Sequence, residues 1–121
     1  MTDNKNKEPY INMVSRVLDP RGQRWYLNGE LNREDGPAII FNNGTQEWWL
    51  NGKLHREDGP AVEFLGGHRG WYKNGLLHRE DGPAVERPNG HKAWYLNGIK
   101  YSEEEYELMR FFRMGVFDKN C

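Results

Sequence analysis

The residues of this chain that could do chemistry fall in three nearly identical stretches. LNREDGPAII runs from Leu31 to Ile40, LHREDGPAVE from Leu54 to Glu63, and LHREDGPAVE again from Leu77 to Glu86. His55 with Asp58, and His78 with Asp81, stand three residues apart, where two metal ligands could converge. Arg33, Arg56 and Arg79 could grip a phosphate through the planar guanidinium fork. A single catalytic or metal site needs one copy of such a phrase, and three copies at a fixed step read as architecture. In a regular array Glu34, Glu57 and Glu80 would lie side by side and repel one another unless the arginines interleave. A structural ladder of charges with a turn is therefore expected ahead of a metal or anion site. Charged residues at strand ends also deter edge-to-edge pairing.

Nucleophilic catalysis finds little support. Serine occurs only at Ser15 and Ser102, and the one cysteine, Cys121, is the last residue given. Repeated carboxylates supply no unique pair whose environments could set one as acid and the other as base. No glycine-rich phosphate loop is present. The expectation is a protein that is not an enzyme, with no cofactor and no metal.

The elements that position these residues follow from a second repeated phrase. RWYLNG ends at Gly29, EWWLNG at Gly52, GWYKNG at Gly75 and AWYLNG at Gly98. Trp25, Trp48, Trp71 and Trp94 therefore recur at an unbroken step of 23 residues, the mark of a repeat array. Asn-Gly between apolar residues is the strongest short hairpin signal, because both central residues of a type I′ turn need positive φ. A two-residue loop then sets the register: Tyr26 faces Leu31, Trp49 faces Leu54 and Tyr72 faces Leu77. Side chains alternate across a strand, so those pairs share one face, which reads as core. The tryptophans share the other face with Asn32, His55 and His78. In REDGP, Asp can bond the backbone ahead, Gly is expected to supply an unusual φ, and Pro fixes its own. Whether this segment reverses the chain or only kinks it stays open. Short β-type runs follow it at 38–41, 61–64 and 84–87, and NNGT, LGGH and PNGH turn the chain into the next unit. SRVLDPRGQRWY supplies half a repeat before the first unit.

The fourth unit departs from the pattern. No REDGP follows Gly98; instead Ser102 and Glu105 form an S-x-x-E capping box with acids in the first turn. Tyr106, Met109 and Phe112, with Leu108 and Phe111, fall at helical spacing. A helix of about three turns that caps the array is expected, because a repeat protein must cover its last unit. The apolar face with Phe111, Phe112 and Met114 could instead dock a partner.

Composition agrees with a thin sheet rather than a deep core. Hydrophobic residues make up 36% of the chain and charged ones 29%, while aromatics reach 13%, too many for disorder. Mean hydropathy is −0.99. A net charge of −1 gives no general attraction to nucleic acid or anionic membranes. The first residues lack the apolar run of a secretory signal, and no stretch approaches the roughly 20 apolar residues of a membrane helix. A cytoplasmic location is expected.

With WYxNGxLHREDGPAV laid out, the chain resembles the MORN-variant, antitoxin-like hairpin-repeat proteins. The HREDGPA wording is closest to small repeat proteins of bacteriophages and large DNA viruses. The likeness spans about residues 14–112. It implies scaffolding and binding rather than catalysis, and an accessory protein acting on a host protein, in counter-defence. The Asn32 position and the fourth unit depart from the repeat wording.

The expected fold is mainly β: tandem 23-residue β-hairpin repeats in an elongated antiparallel sheet or solenoid, capped by a C-terminal α-helix. Its parts are a flexible lead-in at 1–13, the array at 14–101, and the capping helix and tail at 102–121. The expected function is a noncatalytic protein-binding module that blocks a host or cognate protein through Trp25, Trp48, Trp71 and Trp94, with His55, Arg56, His78 and Arg79 setting orientation. Self-association through the sheet edge or the C-terminal helix is compatible with this pattern. Two alternatives stand beside it: a small-molecule or nucleotide sponge built on Arg and aromatic side chains, and a structural repeat protein with no specific ligand.

Overall fold

The structure, a computed structural model, describes residues 13–113; the expected lead-in, Met13 aside, and the tail past Arg113 lie outside the described residues. The chain is mainly β. Strands β1 (Val14–Asp19) and β2 (Gly22–Leu27) form the opening hairpin, followed by β3 (Glu30–Leu31) and β4 (Ile39–Phe41). Two similar units follow: β5 (Gln46–Glu47), β6 (Trp49–Leu50), β7 (Lys53–Leu54) and β8 (Val62–Glu63), then β9 (Arg69–Gly70), β10 (Tyr72–Lys73), β11 (Leu76–Leu77) and β12 (Val85–Glu86). β13 (Lys92–Leu96), β14 (Ile99–Tyr101) and the helix α1 (Glu103–Arg113) complete the described chain.

The Asn-Gly turns form as their chemistry requires. Asn28, Asn51, Asn74 and Asn97 all sit at φ of 51–52°, and the glycine after each is also positive. The expected registers are present: Tyr26 opposite Leu31, Trp49 opposite Leu54, Tyr72 opposite Leu77. All pairings are antiparallel, and the main sheet runs β1-β2-β4-β5-β8-β9-β12-β13-β14. Each 23-residue unit thus adds one outgoing and one returning strand. An even count stacks equivalent residues in columns.

REDGP neither reverses nor simply kinks the chain. β7 and β8 both run antiparallel to the same outgoing segment, one against Trp49–Leu50 and the other against Gln46–Glu47. Between them, Trp48 bonds to both sides of the loop: His55 N–H donates to its carbonyl and its own N–H donates to Ala61. Residues 56–60 therefore leave the ladder and return to it in the same direction. The same excursion occurs at 33–37 and 79–83, flanking Trp25 and Trp71.

The core lies elsewhere than the turn registers suggested. Tyr26, Leu31, Trp49, Leu54, Tyr72 and Leu77 are all only partly buried. Within the sheet the fully closed side chains are Ala38, Ala61 and Ala84, at 0% exposure, next to Ile39 and Val62. Each alanine ends an excursion, and its N–H reaches the following strand, at Glu47, Gly70 and Ala93 respectively. A single sheet two strands per unit has no thick interior, so the tightest packing falls where a loop folds back onto it.

Helix α1 carries the expected capping box: Glu105 N–H donates to Ser102 Oγ, and Ser102 N–H to the Glu105 carboxylate. Its apolar face is covered less than helical spacing implied. Tyr106 is fully buried, whereas Leu108, Met109, Phe111 and Phe112 keep 36–52% exposure. The helix rests against β13 and β14 at the end of the array rather than across a broad face. Only its first inward residue is enclosed. No described helix is long and apolar enough to cross a membrane.

Candidate functional site

Each excursion is built around its arginine. Arg56 Nε donates to Asp58 at 3.1 Å and Nη1 donates to the Pro60 carbonyl at 3.0 Å. The guanidinium carbon lies 3.8 Å from the centre of the Trp48 ring. Arg33 repeats this over Trp25 with Asp35 and Pro37, and Arg79 over Trp71 with Asp81 and Pro83. The glycine of the phrase closes the other side. A Cβ on Gly59 would come 2.9 Å from the Arg56 guanidinium carbon, and on Gly36 or Gly82 about as close to Arg33 or Arg79. None of these three glycines has a positive φ. Their recurrence in the phrase leaves space for a flat cation, in place of the unusual backbone expected from the sequence.

The arginines consequently do not interleave between neighbouring glutamates. Each pairs inside its own loop, with a further contact from Arg79 to Glu86 at 3.3 Å. Their side chains are 22–27% exposed, while those of their partners Asp35, Asp58 and Asp81 are 76–89% exposed. Guanidinium turns in, carboxylate turns out. The rim of the loops is therefore acidic.

The histidines join one unit to the next. His55 Nδ1 accepts the N–H of Asn74 at 2.9 Å, and His78 Nδ1 accepts that of Asn97 at 2.9 Å. Because Nδ1 accepts, the ring proton sits on Nε2, which faces Glu57 at 2.7 Å from His55 and Glu80 at 3.1 Å from His78. Asn32 does the same work for the turn of the second unit: its side-chain oxygen accepts the Asn51 N–H at 2.8 Å. The departure at position 32 keeps the acceptor and drops the donor toward the glutamate. The His55 bond, followed by that of Lys73, holds the Glu57 carboxyl below the usual range, and the His78 bond does likewise for Glu80. At the first hairpin, Arg24 and then Arg21 hold Asp19 well below it.

Successive loops leave a cleft between them. The first, about 520 Å³, is lined by Glu34 and Asp35 of one loop, Glu57 and Asp58 of the next, and Trp48 and Leu50 of the strand between. The second, about 600 Å³, repeats it one unit on, with Asp58, Glu80, Asp81, Trp71 and Lys73. Trp25 lines a smaller cleft against β1. The chain itself covers the third loop: Tyr106 Oη donates to the Arg79 carbonyl and accepts the Gly82 N–H, and Arg113 donates to the Glu80 carbonyl at 3.3 Å.

The structure thus brings Trp48, His55 and Arg56 to one cleft and Trp71, His78 and Arg79 to the next, with Trp25 at the array's start. Trp94 stands apart, opposite Tyr101 in the last hairpin and, among the described residues, without an arginine stack. All four tryptophans are partly buried. Sequence inspection missed the outward aspartates and Leu50 as cleft residues. The usable signal was the constant eight-residue step from Trp to Arg, present at 25/33, 48/56 and 71/79 and ending at Ser102. Among the described residues no group of three or more His, Cys, Asp or Glu is placed to hold a metal ion. Comparison of the chain with protein-family models, with curated proteins and with solved structures found no match.

Proposed function

We propose that the chain is a noncatalytic protein-binding repeat module, an accessory or antitoxin-like inhibitor of the phage type that covers part of a host protein in the host cytoplasm. The observation that supports this best is the pair of equivalent clefts, each with a tryptophan in its wall and a rim of outward carboxylates. Aromatic side chains at the centre of a polar rim are what protein interfaces use as anchors. The binding edge is that of Trp25, Trp48 and Trp71, with Trp94 at its far end; His55, Arg56, His78 and Arg79 hold the loops and turns in place. The resemblance of the repeat wording to MORN-variant proteins favours the same class. A nucleotide sponge would need free guanidinium forks, and Arg33, Arg56 and Arg79 already spend two donors each inside their loops.

Affinity capture from host lysate tests the proposal. A discrete partner retained by the wild-type chain should be lost from Trp48→Ala/Trp71→Ala. Because those tryptophans also brace the loops, Leu50→Ser, which removes the apolar cleft wall without removing a stack or adding charge, serves as the second variant. Recovery of no partner, or equal recovery by all three proteins, would overturn it.

A further inference from the structure

We infer that the occupant of the two open clefts is a cationic segment in polyproline II conformation, carrying Lys or Arg at every third residue. This deepens the proposed binding function and rests on it.

Three observations lead there. First, carboxylates outnumber cations at the mouth of the first cleft. It has four, Glu34, Asp35, Glu57 and Asp58, against the two guanidiniums of Arg33 and Arg56, with Glu57 also held by His55 and Lys73. Both guanidiniums are turned inward onto tryptophan rings, and among the described residues Glu34 has no ion-pair partner. An incoming cation meets carboxylates first and an indole and Leu50 below them. That layering suits a long aliphatic stem with a charged tip.

Second, the chain already places cations of its own at this edge. Lys73 Nζ lies 3.2 Å from Glu57 in the second cleft. Arg113 of α1 covers the third loop, bonding the Glu80 carbonyl. The first cleft has Leu50 at the position of Lys73, so Glu34, the counterpart of Glu57, keeps no such neighbour among the described residues, while Glu57 on its other side is the carboxylate that Lys73 holds. The first cleft is the stronger of the two sites.

Third, the spacing selects the backbone. Equivalent clefts lie one unit apart, which is two strand spacings, or about 9.6 Å. Polyproline II advances about 3.1 Å per residue with three residues per turn, or about 9.3 Å between side chains on one face. An extended β-strand repeats its face at about 6.6 Å, and an α-helix at about 5.4 Å. Only the polyproline repeat matches one cleft per turn.

The test titrates the full chain with a synthetic peptide of Arg-Pro-Pro triplets, and with a peptide of equal arginine number in alternating Arg-Pro. Binding is followed by tryptophan fluorescence and calorimetry at two salt concentrations. The triplet peptide should bind at least tenfold tighter than the alternating one. Glu34→Lys should weaken it about tenfold; among the described residues Glu34 has no ion pair to lose, and Glu57→Gln gives the second measurement. Equal affinity for both peptides would mean diffuse acidity and overturn the inference, as would absence of binding. A lysate partner lost with Leu50→Ser but kept by Glu34→Lys would leave the protein-binding function standing and remove this inference alone.

Discussion

The first three units and the fourth begin alike and end differently. Each opens with an aromatic pair and an Asn-Gly turn at the same φ. In the first three, an arginine eight residues after the tryptophan returns to stack on its ring, and the loop around it leaves an open cleft or a covered one. In the fourth, Ser102 takes that position and starts a helix. Tyr106 of that helix then reaches back to the third loop, with its hydroxyl between Arg79 and Gly82. A helix thus stands where a fourth loop would otherwise lie. The difference shows that the hairpins define the array while the segments after them decide whether an edge is left open or closed.

Removing the closing residue should have the largest effect. Tyr106→Ala empties a fully enclosed site, and about 3–5 kcal/mol of stability should be lost, read by chemical denaturation. Tyr106→Phe separates packing from bonding; it leaves two backbone groups of the third loop unpaired and should cost about 1–3 kcal/mol. A loss of under about 0.5 kcal/mol for the alanine variant would mean that the array ends without need of α1.

Next come the stacks of the open units. Arg56→Lys loses the planar fork and the ring contact, and about 1–3 kcal/mol is expected. Gly59→Ala should cost about as much by pushing the guanidinium off Trp48. The two together should cost less than their sum, since both break one stack. Full additivity in a double-mutant cycle would separate the glycine from the arginine.

The histidine columns predict a smaller and more selective effect. His55→Ala leaves the Asn74 N–H without its acceptor and should cost about 1 kcal/mol. His55→Asn copies the first unit, where Asn32 serves Asn51, and should be nearly silent in a thermal melt. Equal loss for both would show that the ring's packing matters more than its acceptor.

The smallest effect is in acid. Glu57 and Glu80 have carboxyls held below the usual range in the folded chain. Their contribution is complete above the ordinary carboxylate range and is lost as pH falls through the lower folded values. Both are well exposed, 69% and 60%, so the loss should stay below about 1 kcal/mol. In His55→Asn/His78→Asn the part of the acid slope due to these bonds should vanish; an unchanged slope would place the linkage elsewhere.

Much of this was legible in the residues. Asn-Gly dictated turn type and register because few other pairs tolerate two positive φ values in succession. The step of 23 residues fixed the number of units, and Ser102 with Glu105 fixed the start of the helix. The burial pattern was less legible. Tyr26, Trp49 and Tyr72 were expected inside, yet Ala38, Ala61 and Ala84 are the enclosed residues, because the loops that cover them are visible only once folded. His55 reads as a candidate ligand until Asn74, 19 residues on, proves to be its partner.

The sequence alone settled what depends on neighbours along the chain: hairpins, their period, the cap and the antiparallel character of the sheet. Tertiary structure decided which way each charge faces. Arginine and aspartate stand two residues apart in the same loop, and nothing local says that one turns in to a tryptophan and the other out to solvent. That choice is made by a ring eight residues upstream and a glycine with no side chain, brought to the same cation when the strand folds back on itself.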